Sequence, residues 1–133
     1  ENGFDMQLQA KDELTVTFHD PCRLGRQMNI YDEPRDLVSS VEGVNLVEME
    51  HHGEEGLCCG VSSMMACNEN SRALRLQRFD EVMATGAEMM LTSCPKCVSH
   101  FECLKFEGDP RHDFEILDVV SFLARQVEAA RSD

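Results

Sequence analysis

The chain contains no apolar run approaching the roughly 20 residues that a membrane helix needs, so direct membrane insertion is not expected. Its first residues, Glu1-Asn2-Gly3, supply neither the basic nor the apolar region of a secretory signal. An initiator methionine is missing as well, and one reading of that is a piece cut from a longer protein. Basic residues are scarce: 12 Lys and Arg stand against 25 Asp and Glu, a net charge of −13. A surface that acidic repels phosphate backbones and anionic lipid, which excludes nucleic acid from the expected partners and favours a less acidic protein. A disulfide framework is lacking too. Seven cysteines are an odd number, two of them are adjacent, and no signal directs the chain to an oxidising compartment. Reduced thiols in the cytoplasm, gathered for metal or redox chemistry, account for all three facts.

What remains is a chain of 133 residues with 42% hydrophobic content, the size of one ordinary domain spanning 1–133. Leu14 to Phe18 alternates apolar and polar residues and reads as a strand. Pro34 to Glu42 reads as a helix capped by Asp32, with Leu37, Val38 and Val41 on one face and Gly43 ending it. Val44 to Met49 is expected to be a second strand. Asn68 to Thr85 predicts a long helix with Ala73, Leu76, Phe79 and Met83 on its stripe, stopped by Gly86. Ala87 to Thr92 reads as a third strand, and a helix is expected to begin at Pro95. A last helix is expected over Glu115 to Ala130, striped by Ile116, Val120, Leu123 and Val127. Such alternation predicts an α/β fold, a small and mostly parallel sheet flanked by helices.

Placed on that plan, Cys22 follows the first strand and Cys94 the third. Cys58 and Cys59 lie in the glycine-bearing loop after the second. Loops at the carboxyl ends of parallel strands share one edge, where ligands bind, so topology is expected to bring the three segments together there. The pair Cys94-Pro95-Lys96-Cys97 sits at a helix start, where amides and Lys96 favour thiolate over thiol. Alone, it fits a thioredoxin-like redox pair, half a zinc site, or chance. The neighbours Cys58 and Cys59 point in different directions and cannot easily chelate one small ion, but each can touch a different atom of a larger object. A mononuclear zinc site takes four ligands and leaves one of five cysteines unused. Five thiolates from three loops therefore suit a polynuclear iron–sulfur cluster better.

These residues carry a resemblance. Thirty-five residues separate Cys22 from Cys58, and 34 separate Cys59 from Cys94. The flanks are Phe18-His19-Asp20-Pro21-Cys22, Cys58-Cys59-Gly60 and Leu91-Thr92-Ser93-Cys94-Pro95-Lys96-Cys97. The pattern resembles the cysteine-rich CCG domain of heterodisulfide reductase catalytic subunits and of related iron–sulfur subunits of glycolate, lactate and glycerol-3-phosphate oxidation. It runs over about residues 14 to 125. The resemblance implies that Cys22, Cys58, Cys59, Cys94 and Cys97 hold an iron–sulfur cluster, of the noncubane or 4Fe-4S type. It implies electron transfer or disulfide reduction, in an oxidoreductase whose partners are other iron–sulfur or flavin subunits and whose substrate is a thiol or disulfide. Relatives typically carry two CCG segments, and many add Cys-x-x-Cys-x-x-Cys runs upstream. This chain shows one segment and no such runs, so a C-terminal fragment of a larger iron–sulfur protein is one expectation.

Cys67 and Cys103 fall outside the pattern and read first as small buried hydrophobes, with a secondary ligand role as the alternative. His19, three residues before Cys22, is a candidate to hydrogen-bond cluster sulfur or relay a proton, or else a cap on the strand end. His51-His52 reads as a solvated loop pair, while His100 and His112 read as structural or surface residues. The eight methionines read as core filler. Two alternatives to the iron–sulfur reading stay open: a zinc-binding structural or interaction module, and a metal-free dithiol oxidoreductase using Cys94 and Cys97.

Overall fold

β1 (Gln9–His19) places Val16 and Phe18 on one side and Thr17 and His19 on the other, because successive side chains on a pleated strand point to opposite faces. Residues 9–59 and 68–131 are described by the computed structural model. Around β1 the sheet runs β2-β1-β3-β4, with every neighbouring pair parallel. β2 (Glu42–Leu46) pairs Leu46 with Val16, and Val47 continues the ladder by donating its amide to Val16 O at 2.8 Å. β3 (Met89–Thr92) is buried along its whole length, as a parallel strand covered on both faces must be. β4 (Glu115–Asp118) lies beside it, with Leu117 opposite Leu91. The expected α/β class and parallel sheet are therefore what the chain forms.

Two helices cover each face. α1 (Asp32–Ser39) and α4 (Val119–Arg131) bury Val38, Val119 and Phe122, joined by Val41 from the turn after α1, against Val16, Phe18, Met89 and Leu91. α2 (Glu69–Thr85) and α3 (Pro95–Lys105) bury Phe79, Val82, Phe101 and Leu104 with Met49, Met90, Phe114 and Ile116 on the other face. α2 begins where Asn68 Oδ1 accepts from the Ser71 amide at 2.8 Å, a side-chain N-cap. It ends at Gly86, whose φ of +74° is a left-handed conformation that suits glycine. α3 starts at Pro95, which has no N–H to leave unpaired in a first turn. Among the described residues, no helix is long and apolar enough to cross a membrane.

Several expectations shift. α1 stops at Ser39, and Gly43 lies inside β2 with φ +89° rather than ending the helix. Tyr31, not Asp32, precedes the helix, without a side-chain cap. Leu37 is exposed while Val38 and Val41 are buried. Glu115 to Asp118 is a strand, and the last helix begins only at Val119, so Val120 points to solvent. On α2 the stripe is rotated. Phe79 is buried, but Ala73 and Met83 are exposed, and the buried side carries Ser71, Arg75, Arg78, Glu81 and Val82.

Candidate functional site

β1, β2 and β3 run the same way, so their carboxyl ends open on one edge, and each is followed by a segment that carries cysteine. Asp20-Pro21-Cys22 leaves β1 and enters a π-helical turn over Arg23–Gln27. Gly25 in this turn needs to be glycine, since a Cβ there would stand 2.6 Å from the Tyr31 ring. The segment after β2 passes through a 3-10 turn, Gly53–Glu55, to Cys58 and Cys59. After β3 the chain reaches Cys94, the residue before the first turn of α3, and Cys97 within that turn.

The sulfurs form two adjoining groups. On the buried side, Cys97 donates a thiol hydrogen bond to Cys59 at 3.3 Å, and Cys94 also contacts Cys97. The ligand atoms of His19, Cys59 and Cys97 all lie within 4.8 Å of one another. On the outer side, exposed Cys22 and half-buried Cys58 line a small hollow with Asp20, Gly25, Arg26, Gly53 and Gly56. The adjacent residues Cys58 and Cys59 thus serve different sides of one edge. Cys103 is exposed on α3, which corrects its reading as a core residue. Cys67 and Gly60 lie outside the described residues.

Polar pairs that sequence reasoning did not single out hold these segments in place. The Asp20 carboxylate takes two hydrogen bonds from Arg35, at 2.7 and 2.8 Å, and one from the Gly53 amide at 2.7 Å. It therefore ties the Cys22 turn to the loop leading to Cys58. Arg26 adds a second tie, donating to Gly56 O at 2.6 Å. Arg35 also reaches Glu48 and lies over the Phe18 ring at 5.1 Å. Burial opposes its charge, yet the hydrogen bonds and charge of Asp20 and then Glu48 raise its pKa on balance.

Behind the buried sulfurs, Arg78 of α2 donates from Nε to His19 Nδ1 at 2.9 Å and from Nη1 to His51 O at 2.6 Å. Glu81 Oε1 accepts from Arg78 Nη1 at 3.3 Å and from the His51 amide at 2.7 Å, and lies 3.1 Å from His51 Nδ1. His51 is thus held in place and not merely solvated. Its neighbour His52 is exposed, with Nδ1 at 2.6 Å from Met49 O. His112 packs edge-on against Phe79, and His100 meets Ser71 Oγ at 2.9 Å, both structural contacts. A signal for Arg78 exists in the sequence: Arg75, Arg78 and Glu81 recur at three-residue steps alongside Phe79 and Val82.

The electrostatics follow from this packing. Burial, and then the Arg78 charge, push the pKa of His19 well below its usual value, so the ring is neutral. The hydrogen bond to Cys59, then burial, then the charges of Cys59 and Cys94 push the Cys97 thiol up. Burial lowers the pKa of Arg78 while Glu81 and Asp20 oppose it. Soft sulfur donors against Met49, Met90 and Phe101 suit a thiophilic metal centre and not a hard cation that wants oxygen. Cys59, Cys94 and Cys97 could hold such a centre from the buried side, with Cys22 and Cys58 reaching it from the hollow.

Fold and site define an α/β domain with a cysteine centre at the carboxyl edge of its parallel sheet. The chain belongs to the cysteine-rich domain family, CCG, which matches residues 16–102. It is similar to the probable iron-sulfur-binding oxidoreductase FadF of Bacillus subtilis, at 33% identity over 118 residues, covering 87% of this chain and 17% of that protein. It is also similar to a subunit of the dihydromethanophenazine:CoB–CoM heterodisulfide reductase of Methanosarcina mazei, at 38% identity, covering 83% of this chain and 27% of that subunit. A third relative is a CoM/CoB fumarate reductase subunit of Methanothermobacter marburgensis, 29% identical over 83% of this chain and 22% of that protein. The chain therefore spans less than a third of the length of these relatives. No solved structure matches it.

Proposed function

We propose that this chain is an iron–sulfur-binding redox domain, one CCG unit of a larger cytoplasmic oxidoreductase that transfers electrons or reduces a disulfide. One observation carries the reading: Cys59, Cys94 and Cys97 meet beside His19 while Cys22 and Cys58 share the adjoining hollow. The names of the iron–sulfur-binding and heterodisulfide reductase relatives support it. Five sulfurs in two groups favour a polynuclear cluster over a single tetrahedral zinc, which needs four ligands and one centre. A bound cluster would supply one-electron steps.

The chain's own residues do the rest. Asp20 and Arg26 hold the outer loops in register, so that Cys22 and Cys58 reach a common site. Phe101 and the methionines keep water from the buried sulfurs, where the N-terminal amides of α3 favour thiolate at Cys97 once a metal is bound. Exposed Cys22 leaves the outer side open to a redox partner or a thiol substrate. The reading implies that another iron–sulfur or flavin subunit, less acidic than this chain, supplies the electrons.

Anaerobic reconstitution of the full chain with ferrous iron and sulfide tests the reading. Bound iron with acid-labile sulfide and a paramagnetic reduced state is the expected result. A colourless protein holding one zinc, or one that takes up no metal and keeps redox-active thiols, would sink it.

A further inference from the structure

We propose that Arg78 is a positioning residue that fixes His19 as its Nε2–H tautomer, making His19 a hydrogen-bond donor to bound sulfur and not a metal ligand. The inference deepens the iron–sulfur reading of the Cys59–Cys97 corner and rests on it. Its starting point is a nitrogen count. A guanidinium has donors and no acceptor, so the 2.9 Å contact from Arg78 Nε consumes the lone pair of His19 Nδ1. A neutral imidazole carries one proton, which must then sit on Nε2. Nδ1 is occupied and Nε2 is protonated, so neither nitrogen has a lone pair to give a metal. One His19 nitrogen lies within 4.8 Å of the Cys59 and Cys97 sulfurs, which resembles a three-ligand site. With Nδ1 taken by Arg78, the nitrogen left for the sulfurs is Nε2, and it comes to them as a donor.

Each part of the device is held. The His19 ring packs edge-on to Phe101 at 4.9 Å and 85°, which holds the ring in place. Arg78 has a fully buried side chain, anchored through Nη1 to His51 O and Glu81. Its Nη2 has no hydrogen-bond partner among the described residues, so burying the guanidinium carries a cost that the contact with His19 helps to offset. A hydrogen bond to cluster sulfur stabilises the more electron-rich, reduced form and so raises the reduction potential. Arg78 acts on the cluster only through His19.

The first test needs no cluster and no variant. Long-range proton–nitrogen correlation spectra of the metal-free, 15N-labelled chain should show His19 with a bare Nδ1 and a protonated Nε2. A protonated Nδ1 in the wild type would overturn the proposal. Arg78→Lys, which keeps a cationic donor, should retain this pattern, and Arg78→Met should mix the tautomers. In reconstituted protein, His19→Leu should keep the full iron content and shift the midpoint potential downward, while His19→Gln, still a donor, should recover most of the shift. Loss of iron in His19→Leu with the fold intact would make His19 a ligand and overturn the inference. Failure of the wild type to take up iron would overturn the iron–sulfur reading and the sulfur acceptor with it, and leave the tautomer standing on the metal-free spectrum.

Discussion

The two faces of the sheet are built from the same strands yet bury different chemistry. Under α1 and α4 the packed cluster is apolar throughout, with Val16, Phe18, Val38, Leu91 and Phe122 fully covered. Under α2 and α3, Phe79, Phe101 and Met90 share the interior with the cysteines and with buried Arg75, Arg78 and Glu81. β1 feeds both sides, giving Val16 and Phe18 to the first and Thr17 and His19 to the second. Burying an arginine–glutamate pair seldom gains stability against an apolar replacement, because desolvation offsets the attraction. The face under α2 and α3 therefore bears a desolvation cost within its own apolar cluster that the other face does not.

The sharpest way to break this division is at the sulfurs. Cys59→Ser should lose most of the iron taken up on reconstitution, because a serine hydroxyl is a far poorer iron ligand than thiolate. Cys103→Ser, on the exposed side of α3, should keep the wild-type iron content. Equal losses in both would show that the buried pair has no special place. Next in size, Glu81→Ala leaves Arg78 buried without its carboxylate and should cost about 3–5 kcal/mol in urea denaturation. The double variant Arg78→Met/Glu81→Leu should regain most of that stability, and if it did not, the pair would be a net stabiliser.

On the other face, Leu91→Ala should cost about 3 kcal/mol by opening a cavity, with iron content per folded molecule unchanged. A drop in iron would mean that the faces are coupled. The smallest effect belongs to Asp118, which accepts from the Ser121 amide at 3.0 Å and from its hydroxyl, capping α4. The Ser121 hydrogen bonds depress the Asp118 pKa, so the cap's contribution is present above the ordinary carboxylate value and fades as pH falls through the lowered one. Asp118→Ala should cost about 1 kcal/mol at neutral pH. The difference from wild type should vanish in acid, and a difference that persisted there would assign the effect to packing.

Local signals made much of this legible. The alternation in β1, the Asn68 and Gly86 ends of α2, and Pro95 at the start of α3 are short-range rules that need no tertiary information. The gathering of the cysteines was legible for a different reason, since parallel strands leave their carboxyl ends on one edge whatever the side chains do. β4 was missed because Ile116 fits the apolar stripe of the helix that follows, and pairing with β3 makes Glu115–Asp118 a strand. The buried face of α2 was missed because arginine on a helix normally reads as solvated. Its burial depends on His19, His51 and Glu81, which come from three separate segments. No periodicity reports a tautomer.

The hydrogen-bonded thiols of Cys59 and Cys97 also show what gathers the sulfurs. They sit inside a cluster completed by Phe79, Phe101, Phe114 and Ile116, whose contacts involve no metal. Their two segments meet because β2 and β3 both pair with β1, so an unfolded chain offers no comparable pocket of sulfur. In a small zinc finger the metal leads and the polypeptide follows. Here the cysteines are gathered by a parallel sheet and its helices. The surroundings of these two thiols are thus supplied by strand pairing and apolar packing, contacts that belong to the fold as a whole and not to the cysteines alone.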